Sequence, residues 1–532
     1  MEQMNHSDPT EPQGSGIPPQ GNVPPNQGYY YQNHPYYNYP PSYRPVRPVV
    51  LIKEPYPAQK REMVYLLLAV VCGWMFVNFT LYGGFYLGFS IAVILCMGCA
   101  AGYLMASGRK LGKYSGTLLT MSVILAAGFA RSGDGAVKFA AFVCLSISAT
   151  LGMCLLAGKN CFPVGSLGTV LDGPQCLVGW GFGDMGVALG GVRRTVRSGG
   201  TAVRKGGAVV VGLCVAVPII CLLVSLLMAA DAAFYGLIQM LPQFSLGRAI
   251  ATVLFGSFAA AVLYSWGTAL RYHPRRTDKV TLASANLHYL TVNTVMVAVG
   301  VVYCVYLLSQ LAYFVGGFSG ILPEGFTMAE YARRGFFEMA ILCGVNLTLI
   351  ALAVGLVTKQ DGKAPLSTRI LCLIVGLVTV FLVATASAKM LLYIGGYGLT
   401  RLRVLTEVAM VFLGLATVIV CVWLFVPRLP YMQVVLVLAL VICAGVLWAD
   451  VDTVVARYNV SAYQRGKLEQ IDMNHLSSLG DGAIVYVARL TDDSDPAVAR
   501  RAKEILEERE IISEDFRSWH YTRWMADRVT RE

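Results

Sequence analysis

The chain has 532 residues, 56% of them hydrophobic and 14% charged, with a mean hydropathy of +0.58 and a formal net charge of +11. Soluble domains carry about 25% charged residues, so this composition excludes a wholly soluble protein. The positive surplus is no nucleic-acid signature either, because it collects in short connections between apolar runs.

The first segment, residues 1–61, holds IPPQGNVPPNQGYYYQNHPYYNYPPSYRPVRP. Its prolines block helix and sheet, and its polar residues bury too little surface to offset ordering entropy, so a disordered tail is expected. No apolar stretch of the kind that drives secretion opens it, so it is expected to stay attached.

Residues 62–449 read as a transmembrane helical bundle. A helix crossing lipid needs about 20 mainly apolar residues, because hydrocarbon offers no partner for free backbone groups. That criterion places spans near Met63–Tyr82, Gly84–Ala106, Ser115–Ala130, Ala136–Ala157, Ala208–Ala230, Ala249–Leu270, Tyr289–Phe314, Gly335–Val357, Thr368–Leu391, Val404–Val426 and Tyr431–Ala449, about 11 in all. The third is the shortest for its task. All fourteen cysteines lie between Cys72 and Cys443, inside or between the spans, which suggests no disulfide framework.

One parity class of connections carries Lys60 and Arg61, then Arg109, Lys110 and Lys113, then Arg193, Arg194, Arg197, Arg204 and Lys205, then Arg271, Arg275, Arg276 and Lys279. The other class is poor in Lys and Arg. Positive flanks stay on the cytoplasmic side, so the tail is expected in the cytoplasm. An odd number of crossings then sends residues 450–532 outside, a segment with twelve basic and sixteen acidic residues.

The longest inner connection holds GWGFGDMGVALGGVRRTVRSGG, Gly179 to Gly200. Its Gly181-Phe-Gly183-Asp-Met-Gly186 matches the dinucleotide fingerprint as a string, but that mechanism needs a preceding strand in a parallel βαβ unit. An amphipathic helix lying on the anionic inner leaflet is expected instead.

Ionisable groups inside spans cost roughly 2.5 to 3.5 kcal/mol each at mid-bilayer, so their positions carry information. Here they gather at the outer ends. Glu338, Lys389 and Glu407 lie about one turn or more inside consecutive helices, and both signs at a similar depth suggest a charge-paired cluster. Asn346 is the main polar exception nearer the midplane.

After the last span, Val454, Val455 and Tyr458 continue a helical spacing until Gly466. Asp450 and Asp452 imitate the first ligands of a calcium loop, but the required glycine is Val455 and the twelfth position is Ser461, so the loop fails. Asp493 or Ser494 is expected to cap a helix over AVARRAKEILEE, with Val498, Ala502, Ile505 and Leu506 as its apolar stripe and i,i+4 pairs on the wet face. Asp481 is expected to cap a shorter one, and Phe516, Trp519 and Trp524 to form a small core or an interfacial belt. No metal or cofactor set is spaced for ligation, and no hydrolase motif is present.

The blocks QLAYFVGG (Gln310–Gly317), EYARRGFFEMAILCGVNL (Glu330–Leu347), AKMLLYIGGYGLTRLRVLTE (Ala388–Glu407), and ADVDTVVARYNV with the following HLSSLGDGA resemble the bacterial domain-of-unknown-function 4173 family, related to the 4153 family, of polytopic membrane proteins. The resemblance runs from about Leu287 to Leu490 and implies a multi-pass protein of the bacterial cytoplasmic membrane. It implies no reaction and no catalytic residues. The blocks contain the candidate outer-face polar cluster: Glu338, Lys389, Arg401, Arg403, Glu407, Asp450, Asp452, Arg457 and Asn459.

The reading is therefore an all-α polytopic bundle with a small helical extracytoplasmic C-terminal segment. Its partners are the lipid bilayer and an envelope protein or small ligand. A non-enzymatic interaction or sensing role ranks first. A transporter of a small or lipid-linked solute is second, and a membrane transferase third. Transport would favour broken helices and midplane polar groups, whereas the polar groups here are peripheral.

Overall fold

The computed structural model describes residues 54–166, 168–198, 246–273, 286–318, 336–360, 363–509 and 515–531, with scattered positions between 216 and 231. Residues 1–53 of the expected disordered tail and most of the expected fifth span lie outside the described residues, whereas residues 54–61 are described, with a helix beginning at Lys60. Residues 56–532 cluster as one compact unit. The described residues are helical, and their only β pairing is two isolated bridges, Leu287 with Val357 and Gln360 with Lys363.

In chain order the bundle comprises α1 (Lys60–Gly83), α2 (Leu87–Ala106), α3 (Lys113–Gly128), α4 (Gly135–Ala157), α5 (Thr169–Cys176), α6 (Met185–Ser198), α7 (Leu246–Tyr272), α8 (Tyr289–Phe318), α9 (Phe336–Leu356), α10 (Leu366–Tyr397), α11 (Arg401–Phe425) and α12 (Tyr431–Ala449). Nine helices among the described residues are long and apolar enough to cross a membrane. Helix α3, with 16 residues, falls short at about 24 Å of rise. The chain is a polytopic all-α membrane protein.

The dinucleotide-like string runs from the end of a π-helical turn, Leu177–Phe182, which follows α5 directly, through a turn at Gly183 and Asp184 into α6 at Met185, with no strand before it among the described residues. Helix α6 is the short amphipathic helix expected there. It buries Ala188 and Gly191 and leaves Arg193, Arg194 and Arg197 exposed.

Small residues allow the closest crossings. A Cβ on Gly73 of α1 would stand 2.5 Å from the Gly256 carbonyl oxygen of α7, the close backbone approach that glycine permits between membrane helices. Near mid-bundle, Asn346 of α9 is fully buried. It accepts a hydrogen bond from Tyr303 of α8 and donates one to Thr379 of α10 at 2.9 Å. The polar exception is thus satisfied within the protein, as lipid requires.

Beyond α12 come α13 (Val451–Gln464), α14 (Met473–Ser477), α15 (Asp481–Val487), α16 (Pro496–Glu507) and α17 (Tyr521–Arg531). These form a cap on one end of the bundle. Val498, Ala502 and Ile505 are buried as the stripe requires, and they belong to one continuous apolar cluster with Val455, Ile484 and the bundle residues Phe129, Val137 and Leu447. Two capping expectations shift by one or two residues. Asp495, not Asp493 or Ser494, accepts from the Ala497 amide at 2.8 Å and caps α16. Gly480 is the N-cap of α15, and Asp481 is its first helical residue. Phe516 and Trp524 are exposed, Phe516 meeting Phe79 of α1 edge-on at 5.7 Å.

The cap touches the bundle at three turns. The Leu87 amide between α1 and α2 donates to the Trp519 carbonyl at 3.2 Å, and the Tyr521 amide donates to the Ala130 carbonyl between α3 and α4 at 2.9 Å. The third is the α10–α11 turn. At the opposite end of α1, buried Glu62 pairs with Arg271 at 2.7 Å and accepts from Tyr103 and Tyr272.

Candidate functional site: a charged junction between bundle and cap

The junction begins with a backbone break. At Asp450 the helix path reverses locally, φ +56° and ψ 100°, and α13 starts at the next residue. Positive φ is strained for a residue with a Cβ, and Asp tolerates it better than most because its short side chain bonds locally. Here Asp450 Oδ2 accepts from the Thr453 amide at 3.1 Å and hydroxyl at 2.5 Å, capping α13. Its Oδ1 accepts from Ser132 Oγ at 2.6 Å, across from the α3–α4 turn.

That turn reads Ser132-Gly133-Asp134-Gly135. Asp134 caps α4 by accepting from the Ala136 and Val137 amides at 2.9 and 3.2 Å. Its second oxygen lies 3.9 Å from Arg401 Nε. Lys138, one turn further along α4 and only 6% exposed, acts electrostatically on both Asp134 and Asp450. Its ammonium rests 3.4 Å from the centre of the Tyr86 ring.

Arg401, the first residue of α11, grips Asp452 with two nitrogens: Nε bonds Oδ1, and Nη2 reaches Oδ2 at 2.7 Å. Asp452 Oδ2 also accepts from the Gly480 amide at 2.8 Å, tying the start of α15 into the same site. Planar two-point pairing of this kind is the strong form of the Arg–carboxylate contact. Three carboxylates (Asp134, Asp450, Asp452) and two cations (Lys138, Arg401) thus meet where α4, α11, α13 and α15 converge.

Asn459 makes a second tie. Its Oδ1 accepts from the Leu399 amide at 2.7 Å and its Nδ2 donates to the Leu399 carbonyl at 2.8 Å, so one side chain satisfies both backbone groups of that turn. Gly398 precedes it at φ +75°, and a Cβ there would come within 2.8 Å of Asn459 Oδ1. Glycine is required at Gly398 on both counts. Arg403 completes the turn by donating to the Tyr397 and Gly398 carbonyls at the end of α10, where a cation complements the helix dipole.

The nine-residue cluster read from the sequence divides. Arg401, Asp450, Asp452 and Asn459 join in the junction, with Arg403 beside it. Glu407 lies deeper, six residues along α11 and so about 9 Å further, and accepts from Ser387 Oγ at 2.5 Å. Its other oxygen is buried with no hydrogen bond among the described residues. Glu338 is the third residue of α9, and its side chain lies outside the described residues, so the expected grouping with Lys389 and Glu407 lies outside them too. Arg457 is exposed.

The sequence reading missed Ser132, Asp134 and Lys138, although Ser132-Gly133-Asp134-Gly135 is a helix-cap pattern visible in the string. It also missed the burial of His520. This residue is 2% exposed, its ring centre 4.6 Å from that of Tyr86 and its Nε2 3.4 Å from Asp481 Oδ2. Burial, with Lys138 and Arg523 nearby, pushes its pKa down to about 3. Asp481 does little to counter this, because Arg509 already holds it at 3.1 Å. The junction binds and positions charge, and its polar groups are spent largely on one another.

No curated protein matches the chain, and no solved structure matches it. The family match runs over residues 66–490, taking in the first-half spans as well as the blocks from Leu287 onward. It is to the 4153 family rather than to the 4173 family that those blocks suggested. The chain belongs to the domain-of-unknown-function family DUF4153.

Proposed function

We propose that this is a bacterial cytoplasmic-membrane protein whose cap stands outside the cell and serves a non-enzymatic interaction or sensing role, coupled to the bundle through the charged junction. The observation that carries this reading is the engagement of Asp134, Asp450, Asp452 and Arg401 with one another and with backbone amides across the bundle–cap boundary. Carboxylates used as helix caps and Arg partners are poor bases and nucleophiles, but they transmit a displacement of the cap to α4 and α11. The positive-inside bias supports the compartment, since Lys60, Arg61 and Arg271 lie at the end of α1 away from the cap.

A transporter is the second reading, favoured by one observation: Glu407 carries a buried carboxylate oxygen without a hydrogen bond among the described residues, at a depth where an ionisable group signals a solute or proton path.

The test is impermeant maleimide labelling of intact cells carrying Lys503→Cys in α16 or Arg193→Cys in α6, each read above the wild-type cysteine background. Labelling of Lys503→Cys in intact cells, and of Arg193→Cys only after permeabilisation, is the expected result. The reverse pattern overturns the orientation and the external role together.

A further inference from the structure

We infer that the cap contains a binding site for a small oxyanion, in the cleft between the α3–α4 turn, α13, α15 and α17. The cleft measures about 170 Å³ and is lined by Arg131, Thr453, Tyr486, Tyr521, Thr522 and Met525, among others. A single water needs only about 10–15 Å³ on such a scale, so the space takes a polyatomic ligand.

Its chemistry is one-sided. Among the described residues, Arg131 is the only charged one that lines the cleft, and no ion pair to it is formed. Its guanidinium carbon sits 4.1 Å from the centre of the Tyr521 ring, so the ring holds the group in place while its N–H groups make no hydrogen bond among the described residues. That is the arrangement that suits two-point contact with a carboxylate or phosphate. The second observation is independent. Thr522, a lining residue, is 3% exposed, and its buried hydroxyl has no hydrogen-bond partner among the described residues. Buried hydroxyls are nearly always satisfied, and an anion held by Arg131 would accept its proton.

Among the described residues no carboxylate lines the cleft, so a cationic ligand finds no counter-charge among them. The backbone amides of Tyr521 and Thr522 are already committed to the Ala130 and Arg131 carbonyls, which fixes the wall without competing for the ligand. The inference does not depend on which compartment the cap faces. The oxyanion is either free in solution or the phosphodiester of an anionic lipid headgroup at the membrane surface.

The experiment uses the full chain with Met525→Cys, whose maleimide modification rate reports occupancy above the native-cysteine background. In neutral detergent the soluble probes are inorganic phosphate and acetate. In nanodiscs, phosphatidylglycerol is compared with phosphatidylcholine. Protection of about tenfold is expected at ten times the Kd. It should vanish with Arg131→Gln, survive in part with Arg131→Lys, and weaken with the near-isosteric Thr522→Val. Protection by a soluble probe assigns a free anion. Protection only in phosphatidylglycerol discs assigns the headgroup. Absence of protection in every arm, or protection undiminished by Arg131→Gln in chains that melt normally, overturns the site.

Discussion

Arg401 and Asp452 show what a single buried pair does at this boundary. Asp452 is 2% exposed and relies on Arg401 and the Gly480 amide. Removing one partner of a buried ion pair leaves an uncompensated charge, at a cost of about 3–5 kcal/mol. Arg401→Ala is therefore expected to destabilise cap docking by roughly that amount, discounted because the Arg401 side chain is partly open to solvent. Arg401→Lys should recover only part, since a single ammonium cannot bond both carboxylate oxygens. Hydrogen exchange at the Gly480 amide checks this directly, because that amide is protected only while it donates to Asp452.

His520 gives the junction a pH dependence of known sign. Its docked pKa of about 3 lies below the ordinary value near 6.5, so below pH 6.5 the undocked imidazole takes up a proton that the docked one refuses. Its contribution is complete above pH 6.5 and is lost as pH falls toward 3, by at most about 1.4 kcal/mol per unit. The melting temperature should fall between pH 7.5 and pH 5. The fall should be smaller in His520→Gln, which cannot titrate, and an equal fall in both would assign the effect to other groups.

At the scale of elements, the spans were legible because hydrocarbon imposes a length and an apolar content that composition alone reveals. Helix α10 was read as Thr368–Leu391 and in fact runs Leu366–Tyr397. Its last turn is not very apolar, and Arg403 holds it from the next helix, a contact invisible in a hydropathy profile. The candidate cluster was legible as a set of unusual residues but not as an arrangement. Asp450, Asp452, Arg401 and Asn459 meet because two turns cross, whereas Glu407 shares α11 with Arg401 and not the site. The Asn459 tie makes this testable. Asn459→Leu is close in size but leaves both Leu399 backbone groups buried without partners, a loss of about 1–3 kcal/mol for each. Exchange at the Leu399 amide should accelerate while α10 and α11 keep their helical protection.

For the whole molecule, the cap clamps two parts of the bundle that are distant in sequence. The α13–α15 side is tied to the α10–α11 turn through Asp452 and Asn459. The 515–531 side is tied to the first helices through the Leu87 and Tyr521 amides and through Arg517, which donates to Asn78 at 2.5 Å. Two anchors on one body behave as a bivalent contact: with one released, the other keeps a high effective concentration of the first. Truncation after residue 509 or Arg401→Ala alone should therefore weaken docking, with faster exchange at Gly480, without releasing the cap. Together they should release it, and the combined loss should exceed the sum of the two by more than the roughly 0.3–0.5 kcal/mol within which independent sites add. Simple additivity in this double-mutant cycle would mean that the anchors act separately and that the cap does not couple α1–α4 to α10–α11.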